Sequence, residues 1–311
     1  MIATVTLNPA VDKSVTVRNF EIGKTNRGQV DRVDAGGKGI NVAKALKRLG
    51  CSVCALGLVA GSNGRFILDA LSAEGIPADF TQVPGETRVN LKILDSVKGT
   101  ETELNEPGFR VTAEQLDDLR RKVETHAPHC QLMVFSGSLP LDAPPEIFAD
   151  LIRIARAHGT RCILDTAGPA LKLGLAAGPF LIKPNRAEVE DLLKTTLRTR
   201  SDLVEAARAL IRMGCQQILI SLGAEGAVGV AGDDALFAHP PAVQVRSSVG
   251  AGDTMVAVMA YAAVDGLPFR QAFRLAVAAS AATVAMKGTK VADLAAVQKL
   301  IPQVRLEDVV G

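Results

Sequence analysis

The chain has 311 residues, 48% of them hydrophobic and 22% charged, with 35 basic and 33 acidic side chains giving a formal charge of only +2. This is the composition of an ordinary soluble globular protein, long enough to bury a full core as one large α/β domain or two modest ones. No basic block or aromatic-interleaved basic stretch is present, which argues against a nucleic-acid partner. The most apolar stretches, Met255–Val264 and Leu275–Met286, are too short to span a membrane and read as buried core helices.

In chain order, MIATVTLNPAVD carries neither a basic start nor a long apolar run, and is expected to be a first strand, Ala3–Leu7, rather than a signal peptide. Asp12–Asp34 follows with alternating polar strand-formers, VDKSVTV and QVDRV. Lys38–Leu49 is predicted helical: Val42, Ala45, Leu46 and Leu49 share one face, Lys44, Lys47 and Arg48 the other, and Gly50 supplies the stop. Short runs rich in Val, Ile and Leu then predict buried strands at Val53–Leu58, Leu132–Phe135, Cys162–Leu164, Phe180–Ile182 and Ile218–Ser221, with amphipathic helical patterns between them. Such alternation predicts a mostly parallel sheet covered by helices on both faces, a three-layer α/β/α sandwich.

Arg88–Asn105 interrupts this rhythm as Asp12–Asp34 does, with RVNLKIL and TETEL and no helix of its own. The two segments are expected to form a small antiparallel sheet outside the main one, folded over its edge as a lid. One face of such a sheet must be covered by a substrate or a second subunit, so a homodimer through the lid is expected. No internal repeat or interdomain linker is evident, and residues 1–311 read as one domain.

Five scattered cysteines in apolar segments do not suggest a disulfide framework, and point to a reducing cytoplasm. Cys51 and Cys54 flank the start of a strand, where positions three apart face opposite ways, so the pair is not expected to bind metal. His126-Ala-Pro-His129 reads as a solvated loop.

Four motifs carry chemistry. In Ser248-Val249-Gly250-Ala251-Gly252-Asp253-Thr254 two glycines enter a helix, bringing bare backbone N–H groups and the positive helix end toward an anion. Asp253, in the first turn, is placed to take a proton from a hydroxyl beside bound phosphates; by itself the motif is also a capped tight turn. In Ala35-Gly36-Gly37-Lys38-Gly39-Ile40-Asn41 the glycines let a polyhydroxyl ligand lie against backbone, Asn41 can donate to and accept from hydroxyls, and Lys38 adds a point charge for phosphate. Lys183-Pro184-Asn185-Arg186-Ala187-Glu188 puts Asn185 and Glu188 on one face, suited to handling Mg²⁺ through water, and is equally a helix capping box. Ser221-Leu222-Gly223-Ala224-Glu225-Gly226 ends a strand with glycines that allow close backbone approach, or simply turns a hairpin. Neither GxxxxGK[ST] nor an early GxGxxG is present, which weighs against a dinucleotide oxidoreductase and requires any ATP to be held another way.

In order, these motifs resemble the phosphofructokinase B-type carbohydrate kinases, relatives of ribokinase and adenosine kinase, through TLNPAVD, GGKGINVAKALKRLG, TRVNLKI, SGSLP, KPNRAEVEDL, SLGAEGA and SVGAGDTMVA. The resemblance runs nearly end to end. It implies a ribokinase-like fold with a β-sheet lid and in-line attack of a sugar hydroxyl on the γ-phosphoryl of Mg·ATP. It makes Asp253 the base and the amides of Gly250, Ala251 and Gly252 the anion hole. Lys183, Asn185, Ser221, Gly223, Glu225, Gly226 and Gly252 are implied for the nucleotide side, and Asn185 and Glu188 for Mg²⁺. Asp12, Gly37, Lys38, Asn41 and Arg88 are implied for a sugar phosphate. Arg88 and Lys92 alternate on one strand face, and with Lys24, Arg27 and Lys38 they can build a basic pocket for an already phosphorylated sugar. TRVNLK with the later TELN is closer to the 1-phosphofructokinase branch than to the tagatose-6-phosphate branch, with six-position phosphofructokinases also near. The expected reaction is fructose 1-phosphate to fructose 1,6-bisphosphate. A sugar-phosphate or nucleotide-binding regulator without catalysis is the reading of another class, and retention of Asp253 weighs against it.

Overall fold

Alternate residues of the central strands belong to two different cores. Ala3, Val5, Met133, Phe135, Cys162, Leu164, Ile218 and Ile220 are buried in one cluster. Their neighbours Ile2, Leu132, Val134, Ile163 and Leu219 are buried in the other. Period-two alternation with both faces apolar is what a sheet covered on both sides requires.

The computed structural model describes residues 1–247, 249–286 and 294–309. Among them the strands β1 (Ile2–Thr6), β4 (Val53–Ala60), β5 (Ala78–Val83), β8 (Leu132–Ser136), β9 (Arg161–Asp165), β10 (Leu181–Ile182), β11 (Gln217–Ser221), β12 (Ala227–Ala231), β13 (Asp234–His239) and β14 (Arg305–Asp308) form one ten-stranded sheet. The order is β14-β13-β12-β11-β10-β9-β8-β1-β4-β5. From β5 to β11 every pairing is parallel, and from β11 to β14 every pairing is antiparallel. Helices α3 (Ala113–His126), α4 (Ile147–Ala157), α5 (Gly168–Leu175), α6 (Arg186–Leu193) and α7 (Arg200–Arg212) cover one face. The other is covered by α1 (Lys38–Arg48), α2 (Gly61–Ala73), α8 (Ala251–Asp265), α9 (Phe269–Val284) and α10 (Leu294–Leu300). The three layers match the sequence expectation. Strands β5 and β12–β14 escaped it, because ADFTQV and the stretches around the Gly232 turn carry too few large apolar residues to stand out.

The lid sheet has the order β3-β2-β6-β7, from β2 (Ala10–Val17), β3 (Gly28–Gly36), β6 (Arg88–Asp95) and β7 (Thr100–Asn105). It is mixed rather than antiparallel: β2 and β6 pair in parallel along their whole length. The reason is connectivity. These two strands leave the carboxyl ends of β1 and β5, which run the same way in the main sheet, so they emerge pointing in one direction. The lid joins the core through four connections, and two of them differ in how they are held. At the β6 root the Thr87 hydroxyl accepts from Ala60 N at 2.9 Å, its own N–H donates to Ala60 O at 3.0 Å, and Glu86 accepts from Asn63 N at 2.6 Å. At the other root β3 passes through Gly36 and Gly37, with φ +110° at Gly37, straight into α1.

Helix α1 lies close on β1 because residue 39 is glycine. A methyl there would overlap Thr6 Oγ1 and lie 3.2 Å from the Val5 carbonyl. Cys51 and Cys54 contact opposite cores, as strand geometry requires. We expect Gly39→Ala to lose about 1–3 kcal/mol in urea unfolding by overpacking, overriding the gain of about 1 kcal/mol that alanine brings to a helix; an unchanged midpoint would contradict the close α1–β1 contact.

Candidate active site

Because β1, β8, β9, β10 and β11 are parallel, their carboxyl ends open on one edge of the sheet, where open α/β folds bind ligands. The segment after β1 leads into the lid, β8 ends at Ser136, β9 at Asp165, β10 runs into Lys183 and β11 ends at Ser221. Between this edge and the lid lies a cavity of about 860 Å³. Asp12, Arg88, Asn90 and Lys92 line it from the lid, Gly37, Lys38 and Asn41 from the start of α1, and Arg246, Ser247, Val249 and Asp253 from the approach to α8.

Asp253 sits in the first turn of α8, 8% exposed. Gly250 caps that helix in the left-handed region at φ +78°, leaving the amides of Ala251 and Gly252 without helical partners. One Asp253 oxygen, Oδ2, accepts from Asn41 Nδ2 at 2.8 Å. Burial raises the carboxyl's pKa and nearby Asp165 adds to the rise. The Asn41 hydrogen bond, Lys38 and Lys183 oppose it, and the balance pushes Asp253 up to about 6.

Asp165 is fully buried and holds both lysines: Lys38 Nζ is 3.2 Å and Lys183 Nζ 3.5 Å from its Oδ1, and Ser136 donates to Oδ2 at 3.5 Å. Burial alone would raise the Asp165 pKa, but the two ammonium groups reverse this and lower it. For Lys38, burial works to lower the pKa, and Asp165, Asp253 and Glu188 together raise it. An added Cβ at Gly252 would lie 3.2 Å from Lys183 Nζ, so the bare backbone at the amino end of α8 is what admits that ammonium group.

On the lid side, Asp12 accepts from Asn90 Nδ2 at 2.9 Å, and burial raises its pKa against that bond. Arg88 donates to Glu106 O at 3.1 Å, Asn8 O at 3.2 Å and Ser138 Oγ at 3.4 Å. All three acceptors are neutral, and its buried Nε has no hydrogen-bond partner among the described residues.

A family model described as "pfkB family carbohydrate kinase" matches residues 5–295. A curated 1-phosphofructokinase from Rhodobacter capsulatus is 42% identical over 280 residues, covering 90% of this chain and 89% of that one. The chain belongs to the pfkB carbohydrate kinase family. The 1-phosphofructokinase of Escherichia coli strain K12 is 36% identical over 306 residues, with 98% of each chain covered. The solved structure of phosphofructokinase-2 from Escherichia coli in complex with potassium superposes with a TM-score of 0.92 at 30% identity, over 97% of this chain and 98% of that one.

Within this pfkB kinase the predicted residues separate into groups. Asp12, Gly37, Lys38, Asn41, Arg88, Lys92 and Asp253 share the cavity. Lys24 and Arg27 do not line it; both are exposed in the β2–β3 connection. The basic pocket is also weaker than the sequence suggested, because Lys92 Nζ is held by Glu101 at 2.6 Å and Glu103 at 3.1 Å on the adjacent β7. Alternation along one strand revealed that Arg88 and Lys92 share a face, but not the strand that would pair beside them.

Asn185 and Ser221 form a bridge, and Glu225 is exposed and pairs with Arg186 at 2.9 Å. Gly223 and Gly226 turn the β11–β12 hairpin, with Leu222 N donating to Gly226 O at 2.9 Å. Asn185 and Glu188 make the reciprocal capping box of α6, each side chain accepting from the other's backbone N–H at 2.8 Å. That box engages Glu188 Oε2, and Glu188 lines a neighbouring cavity with Lys38. Among the described residues no cluster of three or more His, Cys, Asp or Glu could cage a metal. The donor set therefore fits Mg²⁺ held mainly by water and phosphate, with a single carboxylate oxygen nearby. Ser248 of the α8 motif lies outside the described residues.

Sequence reading missed Asp165, Asn90, Ser138 and Arg246. For Asp165 a signal existed: an acidic residue directly after a predicted parallel strand occupies the ligand-binding edge.

The raised carboxyl has a consequence for stability. Asp253 ordinarily titrates at 3.8. Between there and about 6 the folded chain binds the proton more tightly than the unfolded one, so the site costs stability increasingly as pH rises through that window and constantly above it. We expect Asp253→Asn to be more stable than the parent in urea at about pH 8 and to lose this advantage near pH 4; an advantage independent of pH would contradict a raised pKa.

Proposed function

We propose that this pfkB kinase transfers the γ-phosphoryl group of ATP to the 6-hydroxyl of fructose 1-phosphate, giving fructose 1,6-bisphosphate and ADP. The observation that carries the reading is Asp253: a buried carboxyl pushed up to about 6, at the amino end of α8, with two lysines nearby and a cavity in front of it. A general base works best with a pKa near operating pH. The 6-hydroxyl loses its proton to Asp253 as its oxygen bonds to the γ-phosphorus. The bond from that phosphorus to the β–γ bridging oxygen breaks, and ADP leaves. Unpaired amides of Ala251 and Gly252, with Lys38 and Lys183, meet the charge on the transferring group.

Arg88 is the proposed grip for the phosphate already on the sugar, since it lines the cavity and its hydrogen bonds go to neutral acceptors, leaving its charge uncompensated by a direct ion pair among the described residues. Asp12 and Asn41 are assigned to the sugar hydroxyls, and the Gly37 backbone lies against the ring. Lys183, Asn185, Ser221, Gly223, Glu225 and Gly226 are assigned to the nucleotide side. Mg²⁺, approached through water by Glu188 and Asn185, supplies neutralising charge to the phosphates when bound. Fructose 1-phosphate is chosen over a 6-phosphate because relatives at 42% and 36% identity are 1-phosphofructokinases.

We treat the chain as one kinase domain with lid segments at 12–34 and 88–105. Five free thiols agree with a cytoplasmic setting. No helix of the described residues is long and apolar enough to cross a membrane.

ADP release should be strong with fructose 1-phosphate and weak with fructose 6-phosphate, tagatose 6-phosphate and unphosphorylated fructose. Preference for a 6-phosphate would overturn the substrate while keeping the kinase. Asp253→Asn should lose a factor of about 10²–10⁴ in turnover and retain ATP binding; retained turnover would remove Asp253 as base, whereas no turnover of the parent with any of these sugars would favour a binding protein.

A homodimer through the lid belongs to the same reading. Val30, Val33 and Leu104 leave 49%, 42% and 57% of their surface exposed on that sheet. Sedimentation at micromolar concentration should give a dimer, reduced to monomer by Val33→Asp; a parent that sediments as a monomer would dismiss the lid interface.

A further inference from the structure

We propose that Asp165 is a positioning residue that keeps Lys38 and Lys183 off the proposed base, so that Asp253 stays basic and both ammonium groups stay available to the transferring phosphoryl. The inference rests on the reading of Asp253 as base.

Four charges share one small space: Asp165 from the end of β9, Asp253 from α8, Lys38 from α1 and Lys183 after β10. With both carboxyls ionised they cancel. The distribution is uneven, however. Both lysines bond to Asp165, at 3.2 and 3.5 Å, while the hydrogen bond to Asp253 comes from neutral Asn41 at 2.8 Å. Asp165 is anchored from several sides. Its side chain is fully buried, Ser136 donates to its other oxygen, and its carbonyl accepts from Gly137 N at 3.0 Å.

A buried carboxylate is stable only with such compensation. The same compensation fixes the lysines, which come from different elements and have no other short ion pair among the described residues. Were Asp165 neutral, Lys38 would keep Asp253 and Glu188 as acidic neighbours, and Asp253 is the carboxylate that acts with both lysines. Either ammonium group bonding to it would stabilise its ionised form and blunt it as a base. An opposite charge at close range lowers a carboxyl pKa by about 1–3 units. The remaining charged neighbours are already counted, since the groups acting on Asp253 are Asp165, Lys38 and Lys183, with Asn41 as its hydrogen-bond donor.

Two variants separate charge from position. In Asp165→Asn the charge is lost. The acid limb of kcat/KM against pH, set by Asp253, should move down by about one unit or more, and kcat at neutral pH should fall. In Asp165→Glu the charge is retained but the carboxylate is displaced by one methylene in a filled site. The limb should stay near its parental pH while kcat falls about 10²-fold, as expected when catalytic groups are misplaced by about 1 Å. A merely structural role predicts lower stability in both with parental kcat in the folded Asp165→Glu; loss of the Asp165 charge by itself also lowers the limb in Asp165→Asn, so the fall in kcat of Asp165→Glu at an unmoved limb is the discriminating result. An unmoved limb in Asp165→Asn, or parental kcat in Asp165→Glu, overturns the proposal. Should Asp165→Asn fail to fold, the kcat of Asp165→Glu decides it. Failure of the underlying reading is seen separately, as turnover retained by Asp253→Asn.

Discussion

Bringing two carboxyls and two ammonium groups together at the largely buried edge of the sheet is the constraint around which the site is arranged. Each charge alone would be expelled from a buried position, because desolvation costs several kcal/mol per ion. Together they are tolerated, provided that each arrives from a rigid element at a fixed distance. The parallel sheet supplies this. Strands β9 and β10 are adjacent and in register, Leu164 beside Ile182, so Asp165 and Lys183 follow side by side. Helices α1 and α8 pack against each other on the same face and bring their amino ends, with Lys38, Asn41 and Asp253, over that pair. Small residues make the approach feasible: glycine at 39 seats α1 on β1, and glycine at 252 leaves room for the lysine.

The lid completes the cavity and sets its charge. With Lys92 engaged by two glutamates and Arg32 paired with Asp34, the lid contributes less free positive charge than its composition suggests. Arg88 is the exception, held by neutral oxygens alone. In the proposed reading, selectivity for a phosphorylated sugar rests on this guanidinium, whose planar donors are suited to phosphate. Asp12, half-buried beside Asn90, is in that reading the acceptor for the sugar hydroxyls.

Much of this was legible in the sequence, for identifiable reasons. Runs such as Val53–Leu58 are apolar on both faces, which distinguishes covered parallel strands from half-exposed ones, and glycine pairs before Lys38 and Asp253 mark helix entries where backbone must meet a ligand. What was hidden depended on pairing. Nothing local in TETEL says that it will lie beside RVNLKIL and neutralise Lys92, and nothing in VDKSVTV says that its neighbour will be parallel. Asp165 stood in plain view after a strand, yet its role comes from two lysines lying 127 residues before it and 18 after it. Met255–Val264 was legible as a buried core helix from its apolar run, and in the fold Thr254–Ala260 is buried all round, with α1 and α9 packed against it.

The unequal roots of the lid bear on how it is joined to the site. One root is tied by Thr87 to the end of β4 and by Glu86 to the start of α2, and cannot shift without breaking those bonds. The other runs through two glycines into the helix that carries Lys38 and Asn41, with Lys44 Nζ of that helix donating to Ala35 O at 2.8 Å. The residues directly after the second root line the cavity, so the lid strand β3 and the α1 side of the site are separated by a single turn of backbone.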